Sequence, residues 1–523
     1  MADDQEERRE IEAYLDHHQL QTFIGDAVND IVKERPGDPL VALADALRAC
    51  SDASRQIQKV HGRQILNGEA LPALEVEILT SQGPMYGAVS SGPYDNIDEQ
   101  YEGRGVIQAV ESADVLLAEV LMEKDPTQQT RIDKLLNQES SLPSNVVSAA
   151  SIACCKAGAK QTLVSVFDHI GTICNSEGAI PAIAFSMING GRSSISSLWV
   201  QDIFVVPTGD MVTLSDQLLV ASTVHRTLED AARNAGQEVL QRGPRGGFCN
   251  GAGTFEHLMD CLVASLETAG FLGSVEFVID IHASRLVPSL PEGEAAGGGE
   301  NPTSYNLKTF SPEKAAAELT AAQGLLDIYL EWLEKYPITA FIEPFAVADV
   351  LTSKDLLARG HQILQAKAAQ STQDMLDPTV ATPTGQRQSE SGEPIEKVGG
   401  SGGGEEKCLL RVMADESVLT PAQLVLVHEQ RGANAVVINT SKLVTVSDCI
   451  ALANRANELG WTVVVSAASE QELEGEFLAD VGVGLRAGQF LMGGLRSAST
   501  IAACARLLRI ESGGVPHLAG GHE

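Results

Sequence analysis

The chain predicts an α/β fold: a small helical hairpin, then an α+β layer, then a longer region built on a parallel sheet. Three observations carry this. Apolar residues recur at helical spacing within the first fifty residues, alternate between residues 60 and 90, and form short runs separated by helical stretches beyond residue 185. Short buried strands alternating with helices are the signature of a parallel sheet. At 523 residues the chain exceeds what one hydrophobic core normally fills, so at least two folded units are expected.

The hairpin comes first. Leu20, Phe23, Ile24, Ala27, Val28, Ile31 and Val32 line one helix face, Pro36-Gly37-Asp38-Pro39 ends that helix, and Leu40, Leu43, Ala44 and Leu47 begin a second. Asp38 stands where an N-cap belongs and Pro39 at the first helical position. Two short helices cannot bury their apolar faces alone, so the hairpin needs a second copy or the rest of the chain. Leu74 to Leu79 then alternates, Ser81-Gln82-Gly83-Pro84 makes a turn, and Met85 to Val89 returns, which predicts a β-hairpin. Helices follow over 105–121 and 145–169.

Beyond residue 185, strands are predicted at Ile203–Val206, Phe277–Ile281, Ile338–Ile342, Leu409–Met413, Ala435–Ile438, Val463–Val465 and Val481–Leu485. Two stretches poor in aliphatic residues, 287–304 and 370–407, read as flexible insertions in surface loops. The glycine run 399–404 has no strand before it and no Lys-Ser/Thr after it, so a linker is expected there and not a phosphate loop.

Composition narrows the function. Seventy Asp and Glu against 37 Lys and Arg give a formal charge of −33, which argues against nucleic acid or an anionic membrane as the main partner. No apolar run approaches the ~18 residues of a spanning helix, and the acidic start lacks the features of a secretory signal, so a cytoplasmic protein is expected. Nine cysteines without a C-x-x-C pair indicate neither zinc nor a disulfide framework, and the adjacent Cys154 and Cys155 are expected to be buried.

Strand ends carry the chemistry. Asp280, Glu343 and Asp415 each follow an apolar strand, so three carboxylates are expected at the mouth of a barrel-type sheet. Such a set suits a hard divalent cation such as Mg²⁺, whereas each residue alone would merely cap a following helix.

Two resemblances add to this. Tyr14-Leu15, Lys33-Glu34-Arg35-Pro36 and Asp38-Pro39 resemble the RII-type dimerisation/docking helical pair, whose members form a four-helix bundle and grip an amphipathic partner helix; the likeness spans residues 10–50. Gly62-Arg63-Gln64-Ile65-Leu66, Ile188-Asn189-Gly190-Gly191, Gly246-Gly247-Phe248 and Leu507-Leu508-Arg509-Ile510-Glu511 resemble the enolase (phosphopyruvate hydratase) family across residues 60–512. That likeness implies a helical module at 1–52, an N-terminal α+β domain at 60–183 and an eight-stranded α/β (TIM-like) barrel at 185–516. It also implies Mg²⁺ and the dehydration of 2-phosphoglycerate to phosphoenolpyruvate in glycolysis.

Departures from the family pattern lie at its chemical positions. The base lysine's place is held by Asn439, with Lys442 three residues on as the nearest substitute, and the second lysine's place by Leu491. Arg245 replaces the glutamate that helps the hydroxyl leave, and Ser466-Ala467-Ala468-Ser469 lacks the cationic phosphate binders while keeping Ser469. Tyr94 and Ser193 replace the serine and histidine of the closing loops. Gln201 matches the substrate-side pattern and Asp202 replaces a glutamate there; Asp280 and Asp415 match metal ligands directly, while Glu343 aligns either with the liganding glutamate, after a one-residue slip, or with the aspartate beside it, and one ion is expected.

A barrel mouth stripped of ammonium and imidazole groups is therefore expected, impaired in dehydration, on a dimeric docking or scaffold protein. The alternative is an active hydratase, or a lyase on a related small phosphorylated acid. The pairing of docking hairpin and divergent barrel resembles the enolase-like proteins of sperm and other flagella.

Overall fold

A computed structural model describes all residues except 1–13, 16, 18, 50–54, 91–99, 192, 193, 195, 210–212, 235–240, 244, 250–253, 289–303, 311–318, 377–409, 440, 441, 443, 470, 471 and 519–523. Tyr94, Ser193, the glycine run and most of both expected insertions lie outside the described residues. Two units are distinguished: Met1–Asn175 with Leu443–Asp448, and Ser176–Lys442 with Cys449–Glu523.

The first unit opens with α1 (Leu20–Glu34) and α2 (Pro39–Ala49). Asp38 Oδ1 accepts from the backbone N–H of Leu40 (3.1 Å) and Val41 (3.2 Å), as the N-cap position requires. Arg35 ends α1 in the left-handed region (φ 50°) and donates its N–H to Ile31 O. Of the α1 apolar stripe only Ala27 is buried, while Phe23, Ile24, Val28 and Val32 are exposed.

Strands β1 (Lys59–Leu66), β2 (Pro72–Thr80) and β3 (Gly83–Ser90) form an antiparallel meander, one strand more than the hairpin expected there. The extra strand begins at Lys59, and Arg63 on it pairs across the sheet with Glu75 (2.7 Å) and Glu77. Helix α3 (Gln129–Gln138) and helix α4 (Ser144–Gln161) complete the layer. Leu74, Val76 and Ile78 of β2 share a core with Val146, Ala149, Ala150 and Ala153 of α4. Cys154 and Cys155 are buried in α4, and burial pushes the Cys154 thiol well above its ordinary range.

The second unit is a closed barrel of β4 (Ala182–Asn189), β5 (Asp202–Pro207), β6 (Val275–Asp280), β7 (Ile338–Ile342), β8 (Arg411–Ala414), β9 (Ala435–Ile438), β10 (Thr462–Ala467) and β11 (Gln489–Met492), with β11 pairing back to β4. Its interior is packed with side chains, among them Phe204, Val278, Ile342, Met413, Val437 and Leu491.

Two expectations are corrected. The sheet is not wholly parallel, because β5 runs antiparallel to both β4 and β6. Val481–Leu485 is not a strand: it belongs largely to the helix Gly475–Gly484, and the strand is Gln489–Met492. That helix is buried on every side from Phe477 to Gly484, so its apolar run has no polar face to reveal a helical period. Strands β4 and β11 lie outside the segments that the sequence marks.

Close packing of β3 on α4 depends on Gly87, where a Cβ would stand 2.1 Å from Ala149 O and 2.7 Å from Ala153 N. Gly87→Ala must separate strand from helix, and should lower stability by about 2–3 kcal/mol. Chemical denaturation of wild type and variant measures this; equal midpoints would contradict the packing.

Candidate functional site

The mouth of the barrel holds a cavity of about 200 Å³ whose polar lining includes Arg245, Asp280, His282, Asp415, Asn439 and Lys442. Strand direction assembles it. Asp280 closes β6 and Asp415 follows β8, both at C-terminal strand ends. Because β5 runs the other way, its first residue, Asp202, pairs with Asp280 and reaches the same end.

Arg245 is built into place. Asn189 Oδ1 accepts from the N–H groups of Arg245 (3.2 Å) and Gly247 (3.0 Å). Gly246 takes a positive φ of 85°, and a Cβ there would meet Gly494 O at 2.9 Å, so only glycine fits that turn. The guanidinium Nη1 then donates to Asp280 Oδ2 at 2.9 Å and lies 3.6 Å from Asp202 Oδ2. Asp202 is fully buried and accepts from Ser186 Oγ (2.7 Å) and Asn189 Nδ2 (3.0 Å). Burial pushes its carboxyl up to about 7, against the pull of Arg245.

His282 joins the two aspartates. It adopts a left-handed backbone (φ 50°) just beyond β6 and buries its ring. Nδ1 bonds to Asp280 Oδ1, and Nε2 lies 3.2 Å from Asp415 Oδ2. Burial opposes its charge, yet Asp280 and Asp415 outweigh burial and raise the imidazole to about 9. In return, His282 and Arg245 hold Asp280 well below the usual carboxylate range despite its burial. Asp415 is likewise lowered, by His282 and by Lys442, whose Nζ sits 2.6 Å from Asp415 Oδ2. Glu416 lies 3.7 Å from both cationic nitrogens and 2.6 Å from Arg285.

The expected trio of carboxylates is not brought together. Glu343 takes a left-handed turn (φ 46°) after β7, and its Oε1 accepts from Asp415 N (2.9 Å), Ser417 N (2.8 Å) and Ser417 Oγ (2.7 Å). It shapes the loop that carries Asp415 and does not line the cavity. Gln201 also lies outside the lining, packed against Gly191, whereas Ser466, Ser469, Asn439 and Leu491 are part of it.

Nor is the mouth stripped of ammonium and imidazole groups, since Lys442 and His282 both occupy it. The backbone N–H of Lys442 donates to Asn439 O (3.0 Å). The available signal for His282 was its place two residues beyond a strand-end aspartate. Among the described residues no group of three or more His, Cys, Asp or Glu side chains is arranged to hold a metal ion. Mg²⁺ asks for several hard oxygens in octahedral array. Here the cavity-facing oxygens of Asp280 and Asp415 are engaged by nitrogen cations; Asp415 Oδ1 has no hydrogen-bond partner, but one oxygen is a single ligand. The residues do not fit the ion.

A closed barrel with carboxylates and basic side chains converging at its mouth defines an enzyme-type scaffold of the enolase kind. Residues 57–170 match the enolase N-terminal domain, and residues 177–370 with 405–518 match the enolase C-terminal TIM barrel domain. The chain belongs to the enolase family. It is 26% identical over 481 residues to an enolase of Eimeria tenella, covering 87% of this chain and 95% of that one. Cytosolic enolase 3 of Arabidopsis thaliana is 24% identical over 519 residues, 96% of each chain, and an enolase of Mastigamoeba balamuthi is 25% identical over 473 residues, 87% of this chain and 95% of that one.

The charge cluster sets a pH dependence. His282, raised from 6.5 to about 9, contributes stability that is complete below pH 6.5 and lost as pH climbs through 9. Asp202, raised to about 7, costs stability as pH rises from 3.8 to 7, so both act in one direction. Stability should fall between pH 6.5 and 9 by on the order of 2–3 kcal/mol from His282. His282→Gln should flatten that slope while lowering the whole curve; unfolding free energies of both proteins across the range decide it.

Proposed function

We propose that this chain is an enolase-family protein impaired in the dehydration of 2-phosphoglycerate, serving as a docking or scaffold component through its N-terminal module. One observation carries the first half: Asn439 and Leu491, at the positions where the resemblance expects the two active-site lysines, both line the cavity. An amide and an isobutyl group cannot take a proton from carbon. Lys442 is the nearest substitute, but its Nζ is engaged by Asp415 Oδ2 at 2.6 Å and stands three residues from the position the resemblance gives to the base. Mg²⁺ at the mouth, expected from the resemblance, is set aside because the donors do not suit it.

Support for the second half is the exposed apolar stripe of α1, with Phe23, Ile24, Val28 and Val32 uncovered and Leu40 and Val41 exposed at the start of α2. A second copy of the same hairpin is the occupant we propose, because a self-complementary apolar face is what two such helices offer one another. The paired hairpins would then hold an amphipathic partner helix. A cytoplasmic setting, and by the likeness of architecture a ciliary or flagellar one, belongs to the same proposal.

Acid and base groups contribute about 10² to 10⁴ each, so loss of both lysines should leave turnover at least about 10⁴-fold below that of an active enolase. Following phosphoenolpyruvate absorbance after adding 2-phosphoglycerate and Mg²⁺ tests this, and near-normal turnover would establish the active hydratase instead. Phe23→Glu with Val28→Glu should halve the particle mass of the full chain in light scattering. An unchanged mass counts against pairing through the hairpin.

A further inference from the structure

We infer that the barrel mouth is a metal-independent site, in which Arg245, His282 and Lys442 stand in for a divalent cation as the counter-charge of Asp280 and Asp415. The inference concerns the same cavity as the proposed loss of dehydration, and rests on reading that cavity as the altered family site.

Geometry makes the substitution specific. The His282 ring lies between the two carboxylates, one nitrogen on Asp280 and the other 3.2 Å from Asp415, so it fills the space an ion shared by them would need. Arg245 takes the remaining oxygen of Asp280 at 2.9 Å, and Lys442 takes Asp415 Oδ2 at 2.6 Å. A guanidinium and an ammonium carry no lone pair for a metal, so an entering cation meets repulsion and must first displace the four contacts that three cationic side chains make to Asp280 and Asp415.

None of the three is a loosely held surface group. Arg245 is tied through Asn189 and Gly246, His282 is held by its left-handed backbone, and Lys442 by the hydrogen bond from its N–H to Asn439 O. Glu343, the third carboxylate expected in a ligand set, instead accepts from the backbone N–H groups of Asp415 and Ser417. The same pairing affects anions. Arg245 and Lys442 are already partnered by Asp280 and Asp415, so a phosphate dianion would have to compete with buried carboxylates for them.

Mn²⁺ reads the site without turnover. A chain of net charge −33 collects divalent ions weakly over its surface, so isotherms of the full wild-type chain and of Asp280→Asn must be compared by electron paramagnetic resonance. Expected is the same Mn²⁺ isotherm for both. A second expectation is gain: Arg245→Ala with His282→Ala should acquire one site at least about tenfold tighter than any in wild type. A wild-type Mn²⁺ site that disappears in Asp280→Asn would overturn the inference. Should that variant not fold, the wild-type His282 ring resonance decides alone. Its persistence with equimolar Mn²⁺ supports the inference and its paramagnetic broadening overturns it. Turnover of 2-phosphoglycerate is a separate outcome, so the functional proposal and this one can fail independently.

Discussion

Carboxylates taken out of water at the end of a barrel need a counter-charge, and the structure around the mouth is organised by that need. Asp280 and Asp415 are nearly inaccessible, and an isolated buried carboxylate would cost several kcal/mol. Arg245, His282 and Lys442 meet the requirement from three different loops. Each of those loops is then held in turn: Asn189 fixes the Arg245 turn, the carbonyls of Ile342 and Glu343 receive the N–H groups of His282 and Ala283, and the carbonyl of Asn439 receives the N–H of Lys442.

The reversed strand β5 matters as much as the charges. Had β5 run parallel to its neighbours, Asp202 would begin it at the opposite end of the barrel. Running antiparallel, it sets Asp202 beside Asp280 and within 3.6 Å of Arg245. A fully buried carboxyl, pushed up to about 7, thus sits behind the cavity lining and against Arg245 without lining the cavity itself. The interior below is apolar and filled, so chemistry is confined to one end.

Much of this was legible in the sequence, and the residues that were not share a cause. The hairpin was readable from its stripe and from Asp38-Pro39, because capping is a local matter of a few bonds. The barrel strands from β6 to β10 were readable as short apolar runs. The direction of β5 was not, since strand polarity depends on the path of the intervening chain and leaves no mark in periodicity. The end of helix Gly475–Gly484 reads as a strand because full burial erases amphipathic pattern. At the site, the strand-end aspartates were visible, but the fate of Glu343 turned on a single backbone angle. His282 carries a weak signal in the sequence, and no local pattern ties Lys442 to Asp415, 27 residues away.

The two neighbouring thiols on α4 have a consequence of their own. Sealed inside the first unit, Cys154 and Cys155 are out of reach of alkylating or oxidising reagents while that layer stays closed. Their modification reports its opening, at the rate at which helix and sheet part once the reagent outpaces reclosing. Since consecutive residues of a helix point in directions about 100° apart, the same closed state also keeps them from joining each other.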